Sequence, residues 1–517
     1  MSRFALGIAL CLLGWLVARR VGRTRVWRIG PMLLDLAVPG ACFAFIASGT
    51  GRPIFAGLLV GACQTAYAIA DHFKRKTLFE PIVCADLITA VDIFRNPRIC
   101  LIFPDLHWIV LGAATAIGLF GGLYWLDLPA LPANIWLACA VAIAVYGAGW
   151  LVAGPQLARV TSALQRLQAT GNPIADCERF GPFATLLIHG VLSRGERAAR
   201  RRAALDQSHR AIDLDGATGP IVVIQCESFF DARRLHAGVS RDLVPAFEHC
   251  AQGSVQWGRL KVPSVGANSV RTEFAVLTGL DEDLIGFDRF NPYQGFARAE
   301  LPSLASRLRE AGYYTICLHP FDRAFYGRDH VMGNLGFDDF IGIEGFAGAQ
   351  KVGLYTADVE VARRIAELIK SHGPKVFVFA ITMENHGPWQ KRHAGGEAVA
   401  PGLPELAGAR DLVEFLRSVR NSDRMIRILA DALAREQGLL AFYGDHLPSF
   451  PSQFAALGFT ARDTDYLIWR PDQGTGLRVD LPAHGLHEAI LQAIAEPAVS
   501  EHRRVVPMTE HGRSLAA

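Results

Sequence analysis

The chain has 517 residues, more than one ordinary domain holds, and its 52 Lys and Arg nearly cancel its 49 Asp and Glu. Residues 1–155 carry 12 Lys or Arg and 7 Asp or Glu, against 40 and 42 in the following 362, and the mean hydropathy is +0.22. An apolar N-terminal module joined to an ordinary globular part excludes a fully soluble cytosolic protein, a disordered chain and a nucleic-acid binder with a strong basic field.

A transmembrane helix takes roughly 17–25 mostly apolar residues. Ile29–Ser48, Ile54–Ala70, His107–Leu126 and Leu131–Ala153 qualify. Phe4–Ala18 is shorter, with Arg19 and Arg20 placed to snorkel at its end. No small-residue cleavage site follows it, so it reads as a span rather than a signal peptide. The expectation is a five-helix transmembrane module over residues 1–155, with Trp15, Trp108, Trp125, Trp136 and Trp150 as interfacial anchors. Asp35 lies inside the second span, where a charge is either functional or paired within the bundle. Lys74–Pro97 is amphipathic and reads as an interfacial segment. Residues 156–215 read as a basic helical connector next to the membrane, ending in Arg194-Gly-Glu-Arg-Ala-Ala-Arg-Arg-Arg-Ala. Its arginines face lipid phosphates or simply solvent.

Residues 216–495 alternate strand and helix. Ile221–Cys226 is a short continuous apolar run, the pattern of a buried parallel strand. Tyr314–Leu318, Val376–Thr382, Leu439–Tyr443 and Tyr466–Trp469 are similar. Leu304–Glu310, Asp358–Lys370 and Leu412–Glu436 are helical patterns between them. This alternation predicts an α/β domain with a doubly wound sheet. Residues 496–517 are polar and aperiodic, a loose tail. The 10 cysteines include no CxxC spacing, so neither a zinc knuckle nor a disulfide framework is indicated.

Open α/β sheets carry their sites beyond the carboxyl ends of the strands. Four predicted strands end in residues suited to chemistry: Glu227-Ser228, His319, Glu384-Asn385-His386 and Gly444-Asp445-His446. Glu227, Asp445 and His446 form a mixed oxygen and nitrogen set that suits Mn²⁺, Mg²⁺ or Zn²⁺. A Gly/Ser/Asn loop, Val262 to Asn268, enters a helix with Phe274, Val276 and Leu277 as its apolar face. Asn268 or Ser269 is placed to cap it. A serine there meets the positive end of the helix, which favours an anionic phosphate. A nearby cation would favour the serine alkoxide.

Glu227-Ser-Phe, Asn268-Ser-Val-Arg-Thr-Glu-Phe-Ala-Val-Leu-Thr-Gly279, His319-Pro-Phe-Asp-Arg-Ala-Phe-Tyr-Gly-Arg328, Glu384-Asn-His-Gly-Pro388 and Tyr443-Gly-Asp-His446 occur in this order. Together with the apolar N-terminus they resemble the lipoteichoic acid synthase family of sulfatase-like phosphoglycerol transferases. The resemblance implies a sulfatase-like fold and a divalent metal on Glu227, Ser269, Asp445 and His446. It makes Ser269 the nucleophile, standing where the family usually has Thr, with Thr272 as the alternative hydroxyl. It implies head-group contacts from His319, Tyr326, Arg328 and His386, with Tyr326 in place of the family's usual Trp. His386 or His319 would move the proton. The donor implied is phosphatidylglycerol, and the acceptor is a hydroxyl of a glycan or glycolipid.

Two other activities share this pattern. A phosphoethanolamine transferase differs only in its head-group pocket. A sulfatase needs Cys or Ser in a C/S-x-P-x-R context, and Ser269-Val-Arg-Thr lacks the proline. A non-catalytic membrane protein of the same fold would have no need of Glu227, Ser269, Asp445 and His446. Topology is contested within the sequence. The five Arg of Arg19–Arg28 and the five Lys or Arg of Lys74–Arg98 favour a cytoplasmic C-terminal domain. An outer-leaflet donor lipid instead requires that domain outside the cytoplasm, in a multi-pass protein of the bacterial cell membrane. Long domains translocate largely regardless of charge, so the chemistry decides the expectation.

Overall fold

The computed structural model describes residues 2–87, 106–130, 134–154, 156–208, 212–214, 216–296, 301–389, 398–405, 408–471 and 474–495. The expected tail, 496–517, lies outside them. Among the described residues, the apolar helices that come first are α1 Arg3–Val21, α2 Ile29–Thr50, α3 Pro53–Leu78, α4 Leu106–Leu126 and α5 Ile135–Ala153. Among the described residues, α1, α2 and α3 are long and apolar enough to cross a membrane by length and composition. α1 and α3 cross through glycine. A Cβ on Gly57 would collide with the Gly7 carbonyl, and one on Gly61 with the Leu10 carbonyl. Small residues four apart let helix backbones approach this closely.

Asp35 is structural. Its Oδ2 accepts from Trp15 Nε1 and Arg19 Nη1, both at 2.8 Å. Its Oδ1 accepts from the backbone N–H groups of Phe183 and Ala184 at 2.8 and 2.9 Å, capping α6, Pro182–Ser208. Arg19 is 1% exposed and lies between the Trp15 and Trp27 rings, 4.9 and 4.7 Å from their centroids. Trp15 is thus a buried donor and not an interfacial anchor, whereas Trp125 and Trp136 are exposed. The side chains of Trp108 and Trp150 lie outside what the structure describes.

Two further expectations change. Lys74–Leu78 continues α3 rather than starting an interfacial helix, and 88–97 lies outside the described residues. Three of the connector arginines reach protein, while Arg194 and Arg202 are exposed. Arg197 forks onto Asp288 at 2.7 Å, Arg200 donates to the Asp283 carbonyl at 3.0 Å, and Arg201 donates to the Gly295 carbonyl.

The C-terminal part is built on a nine-stranded sheet. Its strands are β1 Ile221–Cys226, β2 Gln256–Lys261, β3 Tyr314–Leu318, β4 Asp339–Ile341, β7 Val376–Ile381, β8 Leu439–Gly444, β9 Thr464–Trp469, β10 Leu477–Arg478 and β11 Leu481–Pro482. A separate hairpin pairs β5 Lys351–Val352 with β6 Tyr355–Thr356. The order is β10-β2-β9-β8-β1-β7-β3-β4, with β11 also on β2. β8, β1, β7, β3 and β4 are parallel. β9 runs antiparallel to β8 and β2, against the expectation of a parallel strand. Between β8 and β9 the chain forms only the six-residue helix Pro451–Ala456, with no crossover helix to return it to the opposite edge.

Helices cover both faces of the sheet, so β1 is buried throughout. Ile221 and Val223 join one core with α7, Ser269–Thr278, and α9, Ala483–Ala495. Val222, Ile224 and Cys226 join the other, with Leu412, Phe415, Leu416, Val419 and Ile426 on α8, Ala409–Arg435. Those spacings form one helical stripe. Burying each large apolar side chain stabilises the fold by about 1.5–3 kcal/mol.

Asp35→Ala strands Arg19 as a buried unpaired charge, and we expect a loss of about 3–5 kcal/mol. Arg19→Met combined with Asp35→Ala is expected to recover part of it, since the Trp15, Phe183 and Ala184 donors still lack their acceptor. Thermal unfolding of the purified protein checks both, and equal destabilisation by the single and double variants would refute the pairing.

Candidate active site

The register of β1 on β8 builds the site. Cys226 lies opposite Gly444, so the next residues of the two strands, Glu227 and Asp445, leave the sheet side by side. Glu227, Asp445 and His446 are buried and offer ligand atoms all within 4.8 Å of one another. His446 Nε2 is 3.5 Å from Glu227 Oε1 and 3.5 Å from Asp445 Oδ2. His446 Nδ1 is 3.0 Å from the Leu447 carbonyl, which can only accept, so Nδ1 carries a proton and Nε2 is the atom that faces Glu227 and Asp445. Asp445 Oδ1 accepts from the N–H groups of Ser228 and His446, each at 2.8 Å. Its Oδ2 is buried with no hydrogen-bond partner among the described residues.

These features fit a divalent cation. Burial lifts the Asp445 carboxyl to about 7 and Glu227 adds to the rise, although His446 opposes it. A bound cation offsets that cost and gives Oδ2 a partner.

Ser269 is the first residue of α7, after Asn268 in the left-handed region at φ 71°. Its Oγ lies 3.4 Å from His446 Nε2. Asn268 supplies no side-chain cap and instead donates to the Phe290 carbonyl at 3.0 Å. Thr272, the alternative hydroxyl, is fully buried and donates to the Asp445 carbonyl at 2.7 Å, which fixes the metal-ligand loop from behind.

The expected head-group residues divide. His319 is buried at the end of β3, its Nδ1 donating to the Ile381 carbonyl at 3.2 Å and its Nε2 without a partner among the described residues. Burial and the nearby Arg328 charge hold it well below the ordinary histidine range, so it is neutral. His386, beyond the end of β7, is partly exposed and donates through Nδ1 to the Gly387 carbonyl at 2.8 Å, with Tyr355 Oη 3.1 Å away. Tyr326 has φ 59° and borders a small cavity beside Asn268. Arg328 is buried and paired. It is 2% exposed, and its Nε and Nη2 fork onto Glu273 at 2.9 and 2.8 Å, so its charge is already compensated.

Sequence reasoning missed several supports. Ser228, at φ 51°, donates its hydroxyl to Glu227 Oε1 at 2.8 Å. Asn385 Nδ2 holds the Glu227 carbonyl at 2.9 Å. Glu273 also accepts from Gln225 Nε2 at 3.0 Å and from the Tyr293 hydroxyl, tying α7 to β1. Adjacency to Glu227 was the available signal for Ser228. Glu384 is spent on the Asp358 N–H and on Asn421 Nδ2, both at 2.7 Å, so it anchors a helix start and α8.

Residues 220–492 match the family model described as Sulfatase. The chain belongs to the sulfatase family. Members of this superfamily are metal-dependent, and the buried ligand group has the composition such an enzyme needs. Capsular polysaccharide biosynthesis protein RkpI of Rhizobium meliloti (strain 1021) is 31% identical over 451 residues, 84% of this sulfatase-family chain and 81% of its own. Two solved structures are similar in fold. The integral membrane protein lipooligosaccharide phosphoethanolamine transferase A (EptA) of Neisseria meningitidis has a TM-score of 0.54 at 12% identity and is covered over 95% of both chains. Phosphoglycerol transferase GacH of Streptococcus pyogenes, in complex with sn-glycerol-1-phosphate, has a TM-score of 0.44 at 22% identity, over 61% of this chain and 88% of that one.

Glu227→Ala and Asp445→Ala are each expected to lose the bound divalent ion, measured by elemental analysis of the purified proteins. Full metal content in both would overturn the ligand set.

Proposed function

We propose that the protein is a membrane-bound, metal-dependent transferase that moves phosphoglycerol from phosphatidylglycerol to a glycan or glycolipid hydroxyl outside the cytoplasm. The observation that carries this reading is Ser269 Oγ at the start of α7, 3.4 Å from Nε2 of His446 and beside a buried carboxylate pair. Glu227, Asp445, His446 and Ser269 would hold the cation, Mn²⁺ or Mg²⁺ by the oxygen-rich set, with Zn²⁺ also compatible. When bound it favours the serine alkoxide and offsets charge on the phosphoryl oxygens.

Ser269 Oγ attacks phosphorus in line, the bond to the diacylglycerol oxygen breaks, and a phosphoglyceryl-serine remains. The acceptor hydroxyl then attacks that phosphorus and restores Ser269. His386 is the better proton carrier, giving its proton to the leaving oxygen and taking one from the acceptor. His319, buried and neutral, instead offers Nε2 as an acceptor to a substrate hydroxyl. The related protein named for capsular polysaccharide biosynthesis favours a polysaccharide acceptor. A phosphoethanolamine transferase is the second reading, favoured by the fold likeness to EptA over nearly the whole chain.

Incubation with phosphatidylglycerol followed by peptide mass spectrometry is expected to find a glycerophosphoryl adduct on Ser269, absent in Ser269→Ala, while Ser269→Thr keeps some activity. An adduct on Thr272 would move the nucleophile. A reporter active only outside the cytoplasm is expected to give signal when fused after Ala495 and none after Arg3. The reverse pattern would remove access to an outer-leaflet donor.

A further inference from the structure

The turn from α1 to α2 carries five arginines that the catalytic reading does not use. Arg19 is spent on Asp35 inside the bundle. Arg20, Arg23, Arg25 and Arg28 are exposed. Among the described residues Arg25 has an acidic neighbour, Glu178 at 3.4 Å, and Arg20, Arg23 and Arg28 have none.

The end of α1 places one of these charges at a cost. The Thr24 N–H donates to the Arg19 carbonyl at 3.0 Å and the Arg23 N–H to the Arg20 carbonyl at 3.2 Å. This pair of bonds closes a helix through a left-handed residue. That residue is Arg23, at φ 55°, where glycine is the usual occupant because a Cβ is disfavoured there. A helix C-terminus favours cations, which accounts for Arg20 in the last turn. It gives no reason for arginine at the left-handed position, nor for Arg25 beyond the helix.

An open groove of about 790 Å³ runs over this turn. Arg20, Arg23 and Arg25 line it beside Leu16, Val17 and Trp27. Leu16 and Trp27 are exposed, and α1 is long and apolar enough to cross a membrane. Cations at the end of an apolar helix, next to an exposed indole, match a phospholipid in order: phosphate at the boundary, acyl chain along the helix. The groove lies at the catalytic end of the bundle. The Thr24 hydroxyl donates to the Cys177 carbonyl at 3.1 Å and the Arg25 N–H to the Glu178 carbonyl at 2.8 Å, and α6 follows directly.

We infer that this groove binds an anionic phospholipid, its phosphodiester on Arg20, Arg23 and Arg25 and an acyl chain along Leu16 and Val17. The lipid is a bound ligand and not the reacting one, since none of Glu227, Ser269, Asp445 and His446 lines the groove. A free phosphate would meet the same arginines but leave the apolar wall uncovered, so the site selects lipid. Charge bias alone would send these arginines to the cytoplasm. A bound anionic lipid gives them a role on either face.

The test uses the full-length protein in a neutral detergent, with lipid binding read by native mass spectrometry. The probe is phosphatidylmethanol, an anionic phosphodiester with neither a glycerol nor an ethanolamine head group, against phosphatidylcholine. We expect phosphatidylmethanol to bind about tenfold tighter, within what two or three interfacial arginines supply. Arg20→Gln combined with Arg23→Gln is expected to bring that preference below about twofold. Arg23→Gly removes one charge and the left-handed strain together. We expect it to weaken the preference about threefold yet to raise the Tm in neutral detergent. A fall in Tm with the preference intact would make Arg23 merely structural and overturn its role. An unchanged preference in the folded double variant overturns the assignment; if that variant does not fold, an unchanged preference in Arg23→Gly does so. Asp445→Ala is expected to keep the full preference, and its loss there would place the lipid at the active site and overturn the groove. Displacement of the lipid by millimolar inorganic phosphate would mean an ion site. A change from dimer to monomer in the double variant would place a second copy in the groove. Either result overturns the lipid. The transferase reading is tested separately, by the Ser269 adduct.

Discussion

Everything at the site depends on two parallel strands being in register. β1 and β8 are paired through Cys226 and Gly444, and the chain turns out of the sheet at the same level on both. Glu227 therefore meets Asp445 and His446 without any loop having to find them. A slip of one residue would turn one partner to the opposite face of the sheet. The cost of gathering two carboxylates in a buried space is visible in Asp445, whose carboxyl is lifted to about 7. Backbone donors meet only part of that cost. The N–H groups of Ser228 and His446 both go to Oδ1, and Oδ2 is left for an ion.

The membrane module is fastened to this edge. The Arg19–Asp35 pair caps α6, and α6 in turn docks on the catalytic part through Arg197 and Asp288. Nearer the site, the Ser449 hydroxyl donates to the Thr77 carbonyl at 3.1 Å, just beyond the Asp445-His446 turn. Arg271, two residues after Ser269, reaches Glu80. Charged groups in and beside the apolar helices thus hold the two parts together. In a bilayer such groups are retained when paired in this way.

The parallel core was legible because β1, β3, β7 and β8 are unbroken apolar runs, and only a strand covered on both faces needs that pattern. Their polar ends pointed to Glu227, Asp445 and His446 for the same reason. Strand direction was not legible. Tyr466–Trp469 is as apolar as the others, yet β9 is antiparallel, since burial does not encode polarity of the chain. β2 escaped notice because Gln256-Trp-Gly-Arg-Leu-Lys261 is half exposed beside short strands. The Arg328–Glu273 ion pair was not legible because the two residues are 55 apart and meet only in the fold. The contacts of Arg197, Arg200 and Arg201 were hidden similarly, since a run of like charges looks the same whether it faces lipid or a distant carboxylate. Spacing alone does not tell Thr272 from Ser269; in the fold Thr272 donates to the Asp445 carbonyl, whereas Ser269 Oγ lies 3.4 Å from His446 Nε2.

The central claim is that Ser269 carries the phosphoryl group between donor and acceptor. The stereochemical course at phosphorus tests it most directly, using phosphatidylglycerol made chiral at phosphorus with a thio substitution and oxygen isotopes. Two successive in-line displacements, each inverting, predict net retention of configuration in the transferred phosphoglycerol. Net inversion would mean that the acceptor attacks the lipid in one step, and it would contradict the account.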